Sequence, residues 1–99
     1  MIRFEKTIGK SEAQNGYLNL TDDKGVTYGK HFPPHRSRLY IITEGEKYKA
    51  TKVRNNQIWG GLHSWYKRAN ISSGDRVIIT FDPKISQING RIPIEIIRI

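Results

Sequence analysis

At 99 residues the chain is sized for one domain with a modest core, and the lack of cysteine excludes disulfides, thiolate nucleophiles and cysteine-based zinc sites. Only 36% of residues are hydrophobic, with no run long enough to span a bilayer and no signal peptide after Met1, so a cytoplasmic setting is expected. Seventeen Lys and Arg against nine Asp and Glu give a net charge of +8, which favours a polyanionic partner, although a charge of this size also serves plain solubility.

Ile2 to Ile8 alternates, with Ile2, Phe4 and Lys6 on one side and Arg3, Glu5 and Thr7 on the other, and reads as a first strand. Gly9 to Gly16 is a polar connection closed by an Asn-Gly turn, and Tyr17 to Leu20 is a second short strand. Asp22-Asp23-Lys24-Gly25 is a turn. His31-Phe32-Pro33-Pro34 is a fixed loop, because its prolines forbid regular structure. A strand from Leu39 to Thr43 turns at Glu44-Gly45-Glu46 and returns from Lys47 to Val53. In the return strand Lys47, Lys49 and Thr51 alternate with Tyr48, Ala50 and Lys52, so one face is basic.

The polar loop Arg54 to Gln57 comes next. Leu62, Trp65, Tyr66 and Ala69 then follow i, i+3, i+4, i+7 and predict a helix from Leu62 to Asn70, with His63, Lys67, Arg68 and Asn70 on its other face. A Ser-Ser-Gly-Asp turn feeds the strand Arg76 to Phe81. Ile85 to Ile88 and Arg91 to Ile99 read as a final hairpin across Asn89-Gly90, with Pro93 marking an edge or a strand start. Ile92, Ile94, Ile96 and, past a frame change, Ile97 or Ile99 are expected to supply core. The sum is a single domain over residues 1–99, mainly β with one or two short helices, in a seven-stranded mixed open barrel. Leu18, Leu20, Leu39, Ile41, Tyr48, Leu62, Trp65, Tyr66, Val77, Ile79, Phe81 and Ile94 are the expected core.

No catalytic residue, metal ligand or cofactor site is expected. His31 and His35 are four apart, but Pro33 and Pro34 exclude the helix that would align them, and no third ligand is placed. Asp22-Asp23-Lys24 resembles half of a metal-nuclease motif yet sits on a turn. No glycine cluster precedes a Lys-Ser or Lys-Thr to form a phosphate loop.

The nucleic-acid chemistry is richer. Asn and Gln pair bidentately with adenine, and Arg with guanine, so Arg54, Asn55, Asn56 and Gln57 put four base-reading side chains in one loop. Asn55-Asn56 also suits a plain turn. Lys47, Lys49, Lys52, Lys67, Arg68 and Arg76 are candidates for phosphate contacts, which position without reading sequence. Trp59 anchors the loop or stacks on bases, while Trp65 and Tyr66 belong to the core. Two rivals stand beside duplex binding: a reader of RNA or a modified base through a pocket walled by Trp59, Trp65 and Tyr48, and a basic module for an acidic protein partner.

The segment from Arg54 to Phe81, a helix carrying Trp65-Tyr66, a short linker, Gly74-Asp75 and a hydrophobic strand ending in Phe81, resembles the plant B-three DNA-binding domain. Its bacterial relatives are the N-terminal effector-DNA domain of the EcoRII restriction enzyme and the recognition domain of BfiI-type restriction enzymes. The resemblance implies a DNA-binding pseudobarrel that grips the major groove of double-stranded DNA with two arms, Lys6 to Asn15 and Lys49 to Trp59. It implies base contacts from Lys10, Ser11, Gln14 and Asn15 and a phosphate contact from Lys6, whereas Glu12 and Ala13 read better as a solvated connection. It also implies a fused or partner nuclease. The family's helix before Phe-Pro has no strong pattern here, and Trp65 is displaced from the family's usual Gly-Trp pair.

Overall fold

Period-two alternation builds seven strands, and they join into one sheet. The structure is a computed structural model describing all 99 residues. In chain order the elements are β1 (Ile2–Thr7), α1 (Lys10–Asn15), β2 (Tyr17–Asn19), β3 (Arg38–Thr43), β4 (Glu46–Val53), β5 (Gln57–Gly60), α2 (Leu62–Arg68), β6 (Arg76–Phe81) and β7 (Ile92–Arg98), with one 3-10 turn at Gly29–His31. The sheet order is β1-β6-β7-β3-β4-β5-β2. All pairs are antiparallel except β3 with β7, so the sheet is mixed, and it curls into a half-open barrel. Inside lie Leu18, Leu39, Ile41, Ala50, Ile58, Val77, Ile79, Ile94 and Ile96, and α2 adds Leu62, Trp65 and Tyr66. Trp65 is fully buried, as its helical spacing predicts. Tyr48 is half-buried against this core.

Four expectations change. The polar connection after β1 is a helix, not a loop arm. Glu12 turns inward and its carboxylate accepts the Gly9 N–H (2.9 Å), while Gly16, at φ 74°, closes the helix in the left-handed region. Glu12 is therefore buried, not solvated. Second, Ile85 to Ile88 forms no strand. Asn89 and Gly90 do make a turn with both φ positive, but β7 already has β6 and β3 as neighbours, leaving Ile85 exposed with no ladder to join. Third, β7 keeps its frame, so Ile97 and Ile99 face outward. Fourth, Lys6 and Lys52 are buried, with their ammonium groups bonded inside the fold rather than presented on the outer face of the sheet.

The two lysines obey the alternation of their strands: Lys6 points inward with Phe4, and Lys52 with Ala50. Lys6 sits where the barrel would otherwise gape, since β1 and β2 are the two sheet edges and no ladder joins them. Its ammonium pairs with Glu12 and donates to the Asn19 carbonyl on β2 (2.7 Å), and the Glu12 carboxylate also accepts the Asn19 N–H (2.7 Å). Beside it, the Thr7 N–H and hydroxyl both donate to Asp23 (2.8 and 2.9 Å), and Phe4 stacks on Tyr28 with centroids 4.2 Å apart. Burial lowers the Lys6 pKa, and the Glu12 carboxylate works against that shift. Lys52 instead donates to the Gly29 and Pro33 carbonyls (2.8 and 2.9 Å). Burial lowers its pKa too, with no carboxylate opposing.

Three outcomes follow from this packing. Trp65→Ala is expected to cost about 3–5 kcal/mol in denaturant unfolding, as other large-to-small core changes do. Lys52→Ala empties buried volume and orphans two carbonyls, so it is expected to cost about 2–4 kcal/mol, whereas Lys49→Ala on the outer face should stay within about 0.5 kcal/mol. At Asp22, burial pushes the carboxyl up, but the N–H groups of Val26 and Lys24 and the Tyr28 hydroxyl outweigh it and hold the pKa below 3.8. That depression stabilises the fold above pH 3.8 and is lost as pH falls through the lowered value. The melting-temperature gap between wild type and Asp22→Asn should therefore be steady near neutrality and close on acidification below pH 3.8.

Candidate nucleic-acid interface

The outward residues of β2, β5 and β4 form one continuous strip. Register sets Tyr17 beside Trp59 and Trp59 beside Thr51 in one row, and Asn19 beside Gln57 and Gln57 beside Val53 in the next. Lys49 and Lys47 continue the same face of β4, both exposed, with Arg38 across from Thr51 on β3. Tyr17 and Trp59 stack with centroids 4.7 Å apart. Gln57 ties the strip together: its carbonyl oxygen accepts the Trp59 Nε1–H (2.9 Å), and its amide donates to the Asn19 side chain (3.2 Å).

The two polar segments expected as arms bracket this strip. α1 runs into β2 at Tyr17, and the Arg54–Asn56 turn runs into β5 at Gln57. Because β2 and β5 are antiparallel, these junctions lie at opposite ends of the face. On α1, Lys10, Ser11, Gln14 and Asn15 are all exposed, with Glu12 inward. Ser11 Oγ accepts the Tyr17 hydroxyl (2.9 Å) and the Asn15 amide (3.3 Å), which fastens the helix to the strip. Its C-terminal Gly16 packs on α2, where a Cβ would come within 2.4 Å of the His63 ring.

At the other end the four loop candidates divide. Arg54 and Asn55 are exposed, and Arg54 has φ 55° with its N–H donating to His35 Nδ1 (2.7 Å). Asn56 is occupied by the fold: its carbonyl oxygen accepts the Gly29 N–H (3.1 Å) and its amide donates to Thr21 Oγ1 (2.7 Å). Gln57 belongs to β5 and to the network of the strip.

The basic candidates divide as well. Lys47 and Lys49 lie on the strip, and Lys67 is exposed on α2. Arg68 pairs with Glu46 (3.2 Å), and Arg76 pairs with Glu5 across β1 and β6, so both charges are locally matched away from the strip. Lys6 and Lys52 are inside. Sequence reasoning overlooked Tyr17, Asn19, Thr51 and Arg38, though the alternation that singles out Lys47 and Lys49 extends to Thr51. Tyr17 and Asn19 emerge only from the pairing of β2 with β5, which are far apart in sequence, and Arg38 from its place opposite Thr51 across the β3–β4 hairpin.

The three aromatic residues considered as pocket walls share no cavity. Trp65 fills the core, Trp59 lies outside on Tyr17, and Tyr48 packs from β4 toward the interior. The carboxylates of Asp22 and Asp23 are occupied within their own turn and at Thr7. No helix is long and apolar enough to cross a membrane.

No family model and no curated protein matches the chain. A solved structure of a hypothetical protein from Arabidopsis thaliana is similar to it, with a TM-score of 0.68 and 16% identity over 99% of this chain and 89% of that one. At that identity the likeness speaks for the fold alone: the chain has the architecture of a small, mainly β protein with a seven-stranded, mixed, curled sheet and two short helices.

Proposed function

We propose that this chain is a sequence-specific double-stranded DNA-binding domain of the B-three pseudobarrel kind. The duplex lies along the strip of β2, β5 and β4, with α1 and the Arg54–Asn55 turn entering the major groove from its two ends. One juxtaposition carries the reading: two exposed segments rich in amide and cationic side chains bracket a single sheet face that itself bears Lys47, Lys49, Thr51 and Arg38. Base contacts fall to Lys10, Ser11, Gln14, Asn15, Arg54 and Asn55, whose side chains suit base edges, and phosphate contacts to Lys47, Lys49 and Lys67. Asn56 and Gln57 hold these groups in place rather than reading. The domain acts by binding, inside the cell where DNA is, and any strand cleavage belongs to a fused or partner nuclease, as the B-three resemblance implies.

Selection from a random duplex pool is expected to return an enriched site. On that site Asn55→Ala should remove about 1–3 kcal/mol of discrimination at one or two base pairs and leave scrambled DNA nearly unaffected. Lys49→Ala should weaken both duplexes alike and reduce the salt slope by about one unit. If Asn55→Ala weakens cognate and scrambled DNA equally, or the pool yields no preference, the reading fails. Preferential capture of RNA or of an acidic protein would point to the rival classes.

A further inference from the structure

Two lysines are buried in this barrel, and only one has a counter-charge. Lys6 has Glu12. Lys52, 1% exposed, has two carbonyl acceptors for three N–H donors, and no carboxylate reaches it. An ammonium taken out of water without a counter-charge is costly, and an anion close by offsets that cost. Lys52 lines the wall of a cavity of about 540 Å³, and what surrounds it has one sign: Lys30, His35 and Arg54 line the same cavity with Gly29, Phe32, Pro34 and Asn55, and no acid does.

The cavity is built, not incidental. Its two sides are the Gly29–Pro34 segment and the Arg54–Asn55 turn. They approach so closely at Gly29 that a Cβ there would meet the Asn55 carbonyl oxygen at 1.6 Å. The Gly29 N–H also donates to Asn56 (3.1 Å), and Lys52 bridges the Gly29 and Pro33 carbonyls beneath. His35 Nδ1 accepts the Arg54 N–H, which leaves Nε2 as the donor of the neutral ring. Lys30 and Arg54 are exposed and free of salt bridges. Convergent donors of one sign in a concave wall focus positive potential there.

We infer that this cavity is a phosphate-binding site, and that its occupant is one backbone phosphate of the bound duplex, next to the bases that the Arg54–Asn55 turn reads. The source of the phosphate rests on the duplex-binding reading; the pocket's preference for a phosphate group does not. Lys30 and Arg54 contact the phosphate from the rim, His35 donates from Nε2, and Lys52 supplies the charge behind them.

The test uses the full chain and the selected duplex with single phosphates replaced, one at a time, by uncharged methylphosphonates. One position flanking the site is expected to weaken wild-type binding about tenfold, the size of a lost charged hydrogen bond. The same replacement should be nearly silent in Lys30→Ala, whose salt slope is lower by about one unit and whose thermal melt is unchanged. In a second arm, inorganic phosphate is titrated into the isotope-labelled chain, and saturable shifts are expected at Gly29, Arg54 and Asn55 that Lys30→Ala abolishes. If duplex binding is intact but no phosphate position distinguishes wild type from Lys30→Ala, the backbone-phosphate assignment is overturned and the duplex reading survives. If the duplex does not bind yet inorganic phosphate does, the duplex reading and the backbone source both fall, and the pocket is that of a free phosphorylated ligand. Absence of shifts in the second arm overturns the phosphate pocket itself.

Discussion

The barrel depends on the ion pair between Lys6 and Glu12. An open sheet of seven strands leaves two edges, and exposed edges invite pairing with other chains. Here the edges are β1 and β2, and they meet without a ladder. Lys6 from one edge, Glu12 from the helix between them and both backbone groups of Asn19 from the other form a single buried polar knot. The helix is consequently held by its interior side chain, and its four exposed polar residues inherit a fixed position beside Tyr17. The geometry of the proposed reading surface thus traces back to one buried carboxylate.

The contrast with Lys52 is instructive. Both lysines stand on inward positions of their strands, and both hold backbone carbonyls. One is neutralised within the fold and fastens it. The other is left as an uncompensated charge below a concavity beside Arg54. Lys52 fixes the Gly29–Pro34 segment, which has too little regular hydrogen bonding of its own.

Much of the fold was legible in the chain. The helix was visible in the spacing of Leu62, Trp65 and Tyr66, and β3, β4 and β6 in their alternation, because long-range packing agreed there with the local pattern. Residue type and strand position point in opposite directions at the two buried lysines. Lys6 falls on the same side of its strand as Phe4, and Lys52 on the same side as Ala50, so the pattern points them inward while their charge suggests the surface. α1 is under two turns long and almost wholly polar, and only Glu12 three residues after Gly9, with Gly16 at the end, marks it. Ile85 and Ile88 read as strand because hydrophobicity is local, whereas a place in a sheet is not. The same limit applies to the site: Arg54 and Asn55 stand out in sequence, but no local pattern tells that Asn56 is engaged by Thr21 and Gly29.

The place of β7 has a consequence for how the protein is made. It is the seventh strand along the chain yet lies in the middle of the sheet, antiparallel to β6 and parallel to β3. Until it emerges from the ribosome, the ladders available are β1 with β6 and the run β3, β4, β5 and β2, linked to each other on one side only, where Lys6 and Glu12 meet Asn19. Neither can close the barrel. Closure of the sheet is therefore deferred until β7 has been made, as expected where distant pairings dominate the topology. A nascent chain would present Tyr17, Trp59 and Lys49 on a half-formed sheet before β7 closes it.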